Sequence, residues 1–156
     1  MFALTHRTAI VTGAGSKNGI GRATALALAG QGADVAVCDL NQAGADETAG
    51  EIRKLGRRSM AFVVDVTRSE QVQGMVDAVV RAWGRIDILV NIAGITQPVK
   101  VANTTPEDWD RITSVNMKGT FLFSKAARIS RFFHAELRSA QSSSMPRGET
   151  TLGTWF

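Results

Sequence analysis

Glycines are concentrated in a short segment near the N-terminus, at a position where they could hold phosphate groups. An apolar run, Thr8–Thr12, leads into Gly13, and Gly19 and Gly21 follow before an alanine- and leucine-rich stretch. Glycines in such a turn let the backbone approach a pyrophosphate, and the free N–H groups of a helix N-terminus favour anions. Glycines are also common in turns that bind nothing, so the position between a predicted strand and a predicted helix is what makes this segment a candidate phosphate-binding loop.

An aspartate stands where the second strand is predicted to end. Asp39 closes the apolar run that starts at Asp34, and it lies 18 residues after Gly21. A carboxylate there can accept hydrogen bonds from the adenosine ribose hydroxyls and would repel a 2′-phosphate, which favours NAD over NADP. Two alternatives remain open: Asp39 could simply end a strand or cap a helix, and Lys17 in the glycine loop could contact a phosphate.

Apolar strand-like runs and helical stretches alternate along the chain. Strands are predicted at residues 8–12, 34–39, 59–65 and 85–91, with helices at about 19–31, 42–55 and 67–83 and a further helix from 105. Continuous apolar strands alternating with helices indicate a parallel sheet covered on both faces. Because such connections are right-handed, the predicted fold class is α/β, a doubly wound Rossmann-type sheet, incomplete on its C-terminal side.

Two helix starts carry capping signals. Thr67 and Glu70 have the spacing of a capping box, and Thr105 precedes Pro106 as an N-cap residue precedes a first-turn proline. The spacing after Pro106 predicts that five residues share one helix face: Trp109, Ile112, Asn116, Gly119 and Phe123.

Five segments, in this order, resemble the motifs of the short-chain dehydrogenase/reductase family, and in particular its bacterial 3-oxoacyl-(acyl carrier protein) reductase-like members. The resemblance covers about residues 5–127. It implies hydride transfer between a nicotinamide cofactor and a small-molecule carbonyl or secondary alcohol, and the parent family is usually homo-oligomeric. The segments are Thr12–Gly21, Asp39, Asp65-Val66, Asn91-Ile92-Ala93-Gly94 and Val115-Asn116-Met117-Lys118-Gly119.

The resemblance also implies a role for each matched residue. Asp65 and Val66 would contact the adenine, and Asn116 would hold a water in a proton relay. An amide on an apolar helix face is costly unless something binds it, although a structural cap or kink role for Asn116 also remains open. The expected cofactor-binding residues are Gly13, Ser16, Gly19, Ile20, Gly21, Asp39, Asp65, Val66, Asn91, Ala93 and Gly94.

The chain departs from the family pattern in two minor ways and one major way. Five residues rather than three separate Gly13 from Gly19, and Ile92 replaces the usual second asparagine of its motif. The major departure concerns the family's Tyr-x-x-x-Lys pair, because the 156 residues contain no tyrosine. Ser144 lies 28 residues after Asn116, as the family's catalytic serine would, but the preceding segment is too polar for a buried strand, so a loop serine is the competing interpretation.

These features predict an NAD(P)-binding domain over residues 1–137 and a divergent, disordered tail over 138–156. The chain is therefore predicted to be a truncated family member that is inactive alone, with NAD as the cofactor and NADP less favoured. The alternative is a non-catalytic NAD-binding remnant or a frameshifted or truncated gene product.

Composition excludes several other classes of protein. The net charge of +4 is modest, and no basic stripe with interleaved aromatic residues suggests nucleic acid. Cys38 is the only cysteine, so neither a disulfide nor a cysteine metal site is expected. No apolar run reaches the roughly 18 residues of a membrane span. A cytoplasmic enzyme with no metal and no membrane partner is therefore expected.

Overall fold

Four parallel strands form the sheet of the computed structural model, which describes residues 3–128. They are β1 (Thr8–Thr12), β2 (Asp34–Asp39), β3 (Ser59–Val63) and β4 (Ile88–Asn91), in the spatial order β3-β2-β1-β4. The chain therefore adds strands first on one side of β1 and then on the other. In such a sheet a crevice forms at the carboxyl ends of the strands, where the order reverses.

Helices cover both faces of this sheet. They are α1 (Ile20–Gly30), α2 (Gln42–Lys54), α3 (Ser69–Trp83) and α4 (Pro106–Thr113). A π-helical segment, Ser114–Lys118, follows α4 directly, and α-helix resumes over 119–128. The predicted α/β doubly wound fold is thus confirmed for the described residues.

The core consists of two layers, one on each face of the sheet. In one layer small residues of α1 and α2, such as Ala25 and Ala49, pack on Val11 and Val35. In the other layer α3 and the helix that contains Phe123 pack on the opposite side chains of the same strands. Burial on both faces explains why the strands have continuous apolar runs instead of alternating polar and apolar residues.

The predicted capping box at the start of α3 is wrong. The N-cap is Arg68, and no side chain caps it. Thr67 instead donates its backbone N–H and its hydroxyl to the Asp65 carboxylate, at 2.9 and 2.7 Å. Because Asp65 already accepts from Thr67 in the turn before the helix, that hydroxyl faces back along the chain instead of capping α3.

The start of α4 agrees with the sequence prediction, but the predicted shared helix face does not form. The Thr105 hydroxyl accepts from the Asp108 N–H at 3.1 Å, with Pro106 in the first turn. However, Trp109 is 63% exposed whereas Phe123 is fully buried. The π-helical turn between them inserts a residue, which rotates the following face by about 100°, so the two aromatic residues do not share one face.

None of the helices in residues 3–128 is long and apolar enough to cross a membrane. The same part of the chain contains no group of three or more His, Cys, Asp or Glu side chains that could hold a metal. Ser144, the proposed tail over 138–156 and its boundary at residue 137 lie outside the described residues.

Candidate functional site

A cleft of about 320 Å³ opens at the carboxyl ends of the four strands. It lies where the strand order reverses on either side of β1, the position at which such sheets form a crevice. Its walls come from the segment after each strand. The lining residues are Gly13, Ser16, Cys38, Asp39, Leu40, Val64, Asp65, Val66, Ile92, Ala93, Gly94, Ile95 and Val115.

The chain leaves β1 through a turn that only glycine fits well. Gly13 has φ +70°, in the left-handed region, and a Cβ there would lie 2.7 Å from the backbone nitrogen of Ala93. The hydroxyl of Thr12, just before it, accepts hydrogen bonds from the N–H groups of Ile92 and Ala93, at 3.0 and 3.1 Å. The turn after β1 and the turn after β4 therefore lie directly against each other.

The N-terminus of α1 is suited to bind an anion. Its N-cap, Gly19, has extended backbone and contributes no capping side chain. A Cβ at Gly21 would lie 2.2 Å from the carbonyl oxygen of Gly13, so the helix starts in direct contact with the turn after β1. No side chain caps the first-turn N–H groups, which lie beside the cleft. Such free N–H groups suit the binding of a pyrophosphate.

The Asp39 carboxylate is held in position by backbone groups. One of its oxygens accepts from the Gly15 N–H at 2.8 Å, and the other accepts from the Asn41 N–H at 3.0 Å. A Cβ at Gly15 would lie 2.7 Å from the Cβ of Asp39, so glycine is required where the loop passes this side chain. Each carboxylate oxygen has a second lone pair, which leaves capacity to accept from ribose hydroxyls.

Asp65 forms another wall of the cleft. Its carboxylate accepts hydrogen bonds from the Thr67 hydroxyl and from the Thr67 N–H. These two hydrogen bonds, above all the one from the hydroxyl, hold the pKa of Asp65 below its ordinary value. The side chain is therefore ionised at neutral pH. The backbone N–H of Asp65 donates to the Gln71 side chain at 2.8 Å.

Asn116 lies in the π-helical segment and pairs with one backbone residue. Its Oδ1 accepts from the Ile95 N–H at 2.9 Å, and its Nδ2 donates to the Ile95 carbonyl at 3.0 Å. The expectation that this amide is buried on an apolar face is wrong, because Asn116 is exposed. Both polar groups of the amide are nevertheless used, and they hold the turn that includes Gly94 and Ile95 against the helix. The water-holding role stays a prediction.

The structure brings seven of the sequence-predicted residues to the cleft lining. Gly19, Ile20 and Gly21 lie at the adjoining start of α1, and Asn91 ends β4 and lines a neighbouring groove instead. Sequence reasoning missed Cys38, Leu40, Val64, Ile92, Ile95 and Val115, whose apolar side chains carry no chemical signature. Ile92 and Val115 stand inside quoted motif segments, and the signal for the other four was adjacency to a motif residue. The seven predicted residues in the lining are Gly13, Ser16, Asp39, Asp65, Val66, Ala93 and Gly94.

Taken together, the strand order, the uncapped helix start and the carboxylate after β2 are features of the Rossmann-type α/β fold. The model of the short chain dehydrogenase family matches residues 7–131. The chain belongs to that family.

Curated relatives and solved structures agree with this assignment. The chain is 46% identical over 123 residues to a short-chain dehydrogenase/reductase of Armillaria gallica, covering 78% of this chain and 46% of that protein. It is 39% identical over 118 residues to the 3-oxoacyl-(acyl carrier protein) reductase of Thermotoga maritima, covering 76% and 47%. A crystal structure of a hydroxysteroid dehydrogenase from Escherichia coli matches with a TM-score of 0.77 and 32% identity, covering 83% of this chain and 54% of that one. The chain thus spans about half the length of these relatives.

Proposed function

We propose that this chain binds NAD(H) in the cleft, as the cofactor-binding part of a dehydrogenase or reductase that acts on a carbonyl or secondary alcohol. The observation that carries the proposal is the Asp39 carboxylate, held 2.8 Å from the Gly15 N–H of the glycine loop. That position suits hydrogen bonds to two ribose hydroxyls and disfavours a 2′-phosphate.

Each wall of the cleft has a part in binding. The first-turn N–H groups of α1 receive the pyrophosphate, and Asp39 accepts from the adenosine ribose. Asp65 and Val66 border the adenine, and Asn116 fixes the turn through Ile95. When bound, the nicotinamide supplies the hydride donor or acceptor.

The names of the relatives support the reaction class and leave the substrate open. They include a D-threitol dehydrogenase of Mycolicibacterium smegmatis, at 41% identity, and a human (3R)-3-hydroxyacyl-CoA dehydrogenase, at 40% identity. A polyol and an acyl thioester share the alcohol group and little else. We therefore propose an alcohol or carbonyl substrate and name no particular molecule.

Nucleotide preference tests the binding proposal. We expect the full chain to bind NADH more tightly than NADPH in a fluorescence titration, and Asp39→Asn to reduce that preference because it removes the charge that repels a 2′-phosphate. Asp46→Asn, an exposed aspartate on α2, is the matched control and should change neither affinity. Tighter binding of NADPH, abolished by Lys17→Ala, would make Lys17 the selector and overturn the assignment of Asp39.

We further propose that these 156 residues bind the cofactor without appreciable turnover. The sequence contains no tyrosine, and general acid–base groups typically contribute about 10²–10⁴-fold to a rate. With acetoacetyl-type and quinone substrates we expect only trace oxidation of NADH. Turnover of about 1–10³ s⁻¹, ordinary for enzymes, would show that other residues supply the proton.

A further inference from the structure

One face of α2 is directed at the glycine loop between β1 and α1. Four of its residues, Gly44, Glu47, Thr48 and Glu51, are three or four positions apart and therefore share this face. They contact the loop at two places: where the chain leaves β1, and where it enters α1.

Thr48 holds the first of these places. Its side chain is fully buried, and its hydroxyl oxygen lies 2.7 Å from the Ala14 carbonyl oxygen and 3.0 Å from that of Gly44. A hydroxyl has one proton, and the shorter distance directs it to the loop. The peptide group between Ala14 and Gly15 is then bound at both ends, because its N–H donates to Asp39.

The backbone of α2 packs against the same part of the loop. A Cβ at Gly44 would lie 1.8 Å from the carbonyl oxygen of Gly15, so no other residue allows this approach. The Asn41 side chain, which caps α2 by accepting from the Gly44 N–H, also places its Nδ2 3.4 Å from that carbonyl.

The second place is the first turn of α1. Arg22 extends from that turn with a side chain only 8% exposed, and its Nη2 lies 3.0 Å from a Glu47 oxygen and 2.7 Å from a Glu51 oxygen. The same α2 face therefore binds both ends of the loop, and it fixes their separation without lining the main cleft.

We propose that α2 positions the glycine loop for the cofactor, with Thr48 as the principal positioning residue. This inference rests on the proposed binding of NAD(H). Its distinctive consequence is that NADH affinity depends on a buried hydroxyl that hydrogen-bonds to the backbone carbonyls of Ala14 and Gly44. Asp39 depends on the same peptide group, so loss of the hydroxyl disturbs the ribose-binding carboxylate as well as the loop.

The experiment compares Thr48→Val, which keeps the shape and removes the hydroxyl, with Thr48→Ser, which keeps the hydroxyl. We expect Thr48→Val to weaken NADH binding at least about tenfold, since a buried carbonyl loses its donor, and Thr48→Ser to restore most of the affinity. Val79→Ala, in the core on the other face of the sheet, controls for a general loss of stability. It should lower the melting temperature and leave the dissociation constant unchanged.

A second measurement needs no cofactor. In the free chain, amide exchange at Gly15 should be at least about tenfold faster in Thr48→Val than in wild type, while exchange within β1 stays unchanged. If Thr48→Val does not fold, Thr48→Ala takes its place in both measurements, because it adds no methyl group beside the two carbonyls.

The outcomes separate the two proposals. If the wild-type chain does not bind NADH, the proposed function is wrong, and Gly15 exchange alone then decides the role of Thr48. Unchanged Gly15 exchange overturns the positioning role. So does a Thr48→Val variant that binds NADH as tightly as wild type, or a Thr48→Ser variant as weak as Thr48→Val.

Discussion

Three polar side chains around the cleft bind backbone groups. The Thr12 hydroxyl holds the turn after β4, Asp39 holds the glycine loop, and Asn116 holds Ile95. Each of these side chains therefore fixes a segment that follows a strand. Because the cleft consists of such segments, its shape depends on a few short hydrogen bonds as well as on the core beneath it.

Cys38 is the one thiol of the chain, and it lies at the floor of the cleft. Burial, together with the neighbouring Asp39 charge, raises the pKa of this thiol to about 12 against an opposing hydrogen bond from the Gly13 N–H. An unfolded cysteine titrates near pH 8.5. Cys38 therefore contributes stability that is fully present below about pH 8.5 and is lost as the pH rises toward 12.

We predict that the free energy of unfolding falls by about 1 kcal/mol between pH 8 and pH 9.5, because the unfolded thiol ionises while the native one does not. Denaturant unfolding of the reduced protein at several pH values measures this change. The chain has no tyrosine to titrate in the same range. Cys38→Val should abolish most of the dependence, and an equally steep loss in that variant would show that other groups cause it.

At the scale of the elements, the crossing of α1 over the turn after β1 leaves no room for a side chain. A Cβ added at Gly21 would lie 2.2 Å from the Gly13 carbonyl oxygen, whereas a Cβ added at Gly74, inside α3, would meet nothing within 4 Å. These two helical glycines therefore have different structural roles. One permits a close contact, and the other only weakens its helix.

The two glycines give opposite predictions for the same substitution. Gly74→Ala should stabilise the protein by about 0.5–1 kcal/mol, because alanine lowers the entropy cost of the helix. Gly21→Ala should destabilise it by roughly 1–3 kcal/mol, because α1 must move off the turn. Thermal or denaturant unfolding of both variants measures the difference, and a Gly21→Ala protein as stable as wild type would contradict the tight crossing.

The order and type of the elements could be predicted from the sequence, whereas several local details could not. Apolar runs and glycines are local signals, so all four strands and the turn at Gly13 follow from them. The π-helical turn contains Asn116, which pairs with Ile95 at a separation of 21 positions, and Thr67 donates back to Asp65. The contact of Thr48 with Ala14 joins residues 34 positions apart, which no periodicity reveals.

For the molecule as a whole, the sheet has an open edge within residues 3–128. There β4 pairs only with β1, so its other side presents backbone groups without a strand partner. The side chains of Ile88, Leu89 and Val90 remain half-buried, and Leu89 lines a groove of about 360 Å³. An apolar edge that stays open favours pairing with other chains.

Exposed apolar side chains on the last described helix add to this tendency. Met117 is 68% exposed and Phe121 is 59% exposed, with Trp109 on the preceding turns at 63%. Leaving such side chains in water forgoes roughly 1.5–3 kcal/mol each relative to full burial. Net stability is typically about 5–15 kcal/mol, so a few uncovered side chains matter.

We therefore predict that the 156-residue chain expressed alone is marginally stable and associates or aggregates. Size-exclusion chromatography over a range of concentrations and a thermal melt measure both properties. Phe121→Gln should reduce the association, because it removes exposed apolar area without opening the core, whereas the exposed, polar Asp46→Asn control should not. A monomer of wild-type sequence that stays soluble at every concentration and melts cooperatively above about 60 °C, the upper part of the ordinary range, would contradict the prediction. Such a result would mean that the open side of β4 and the exposed helix face are covered within the same chain.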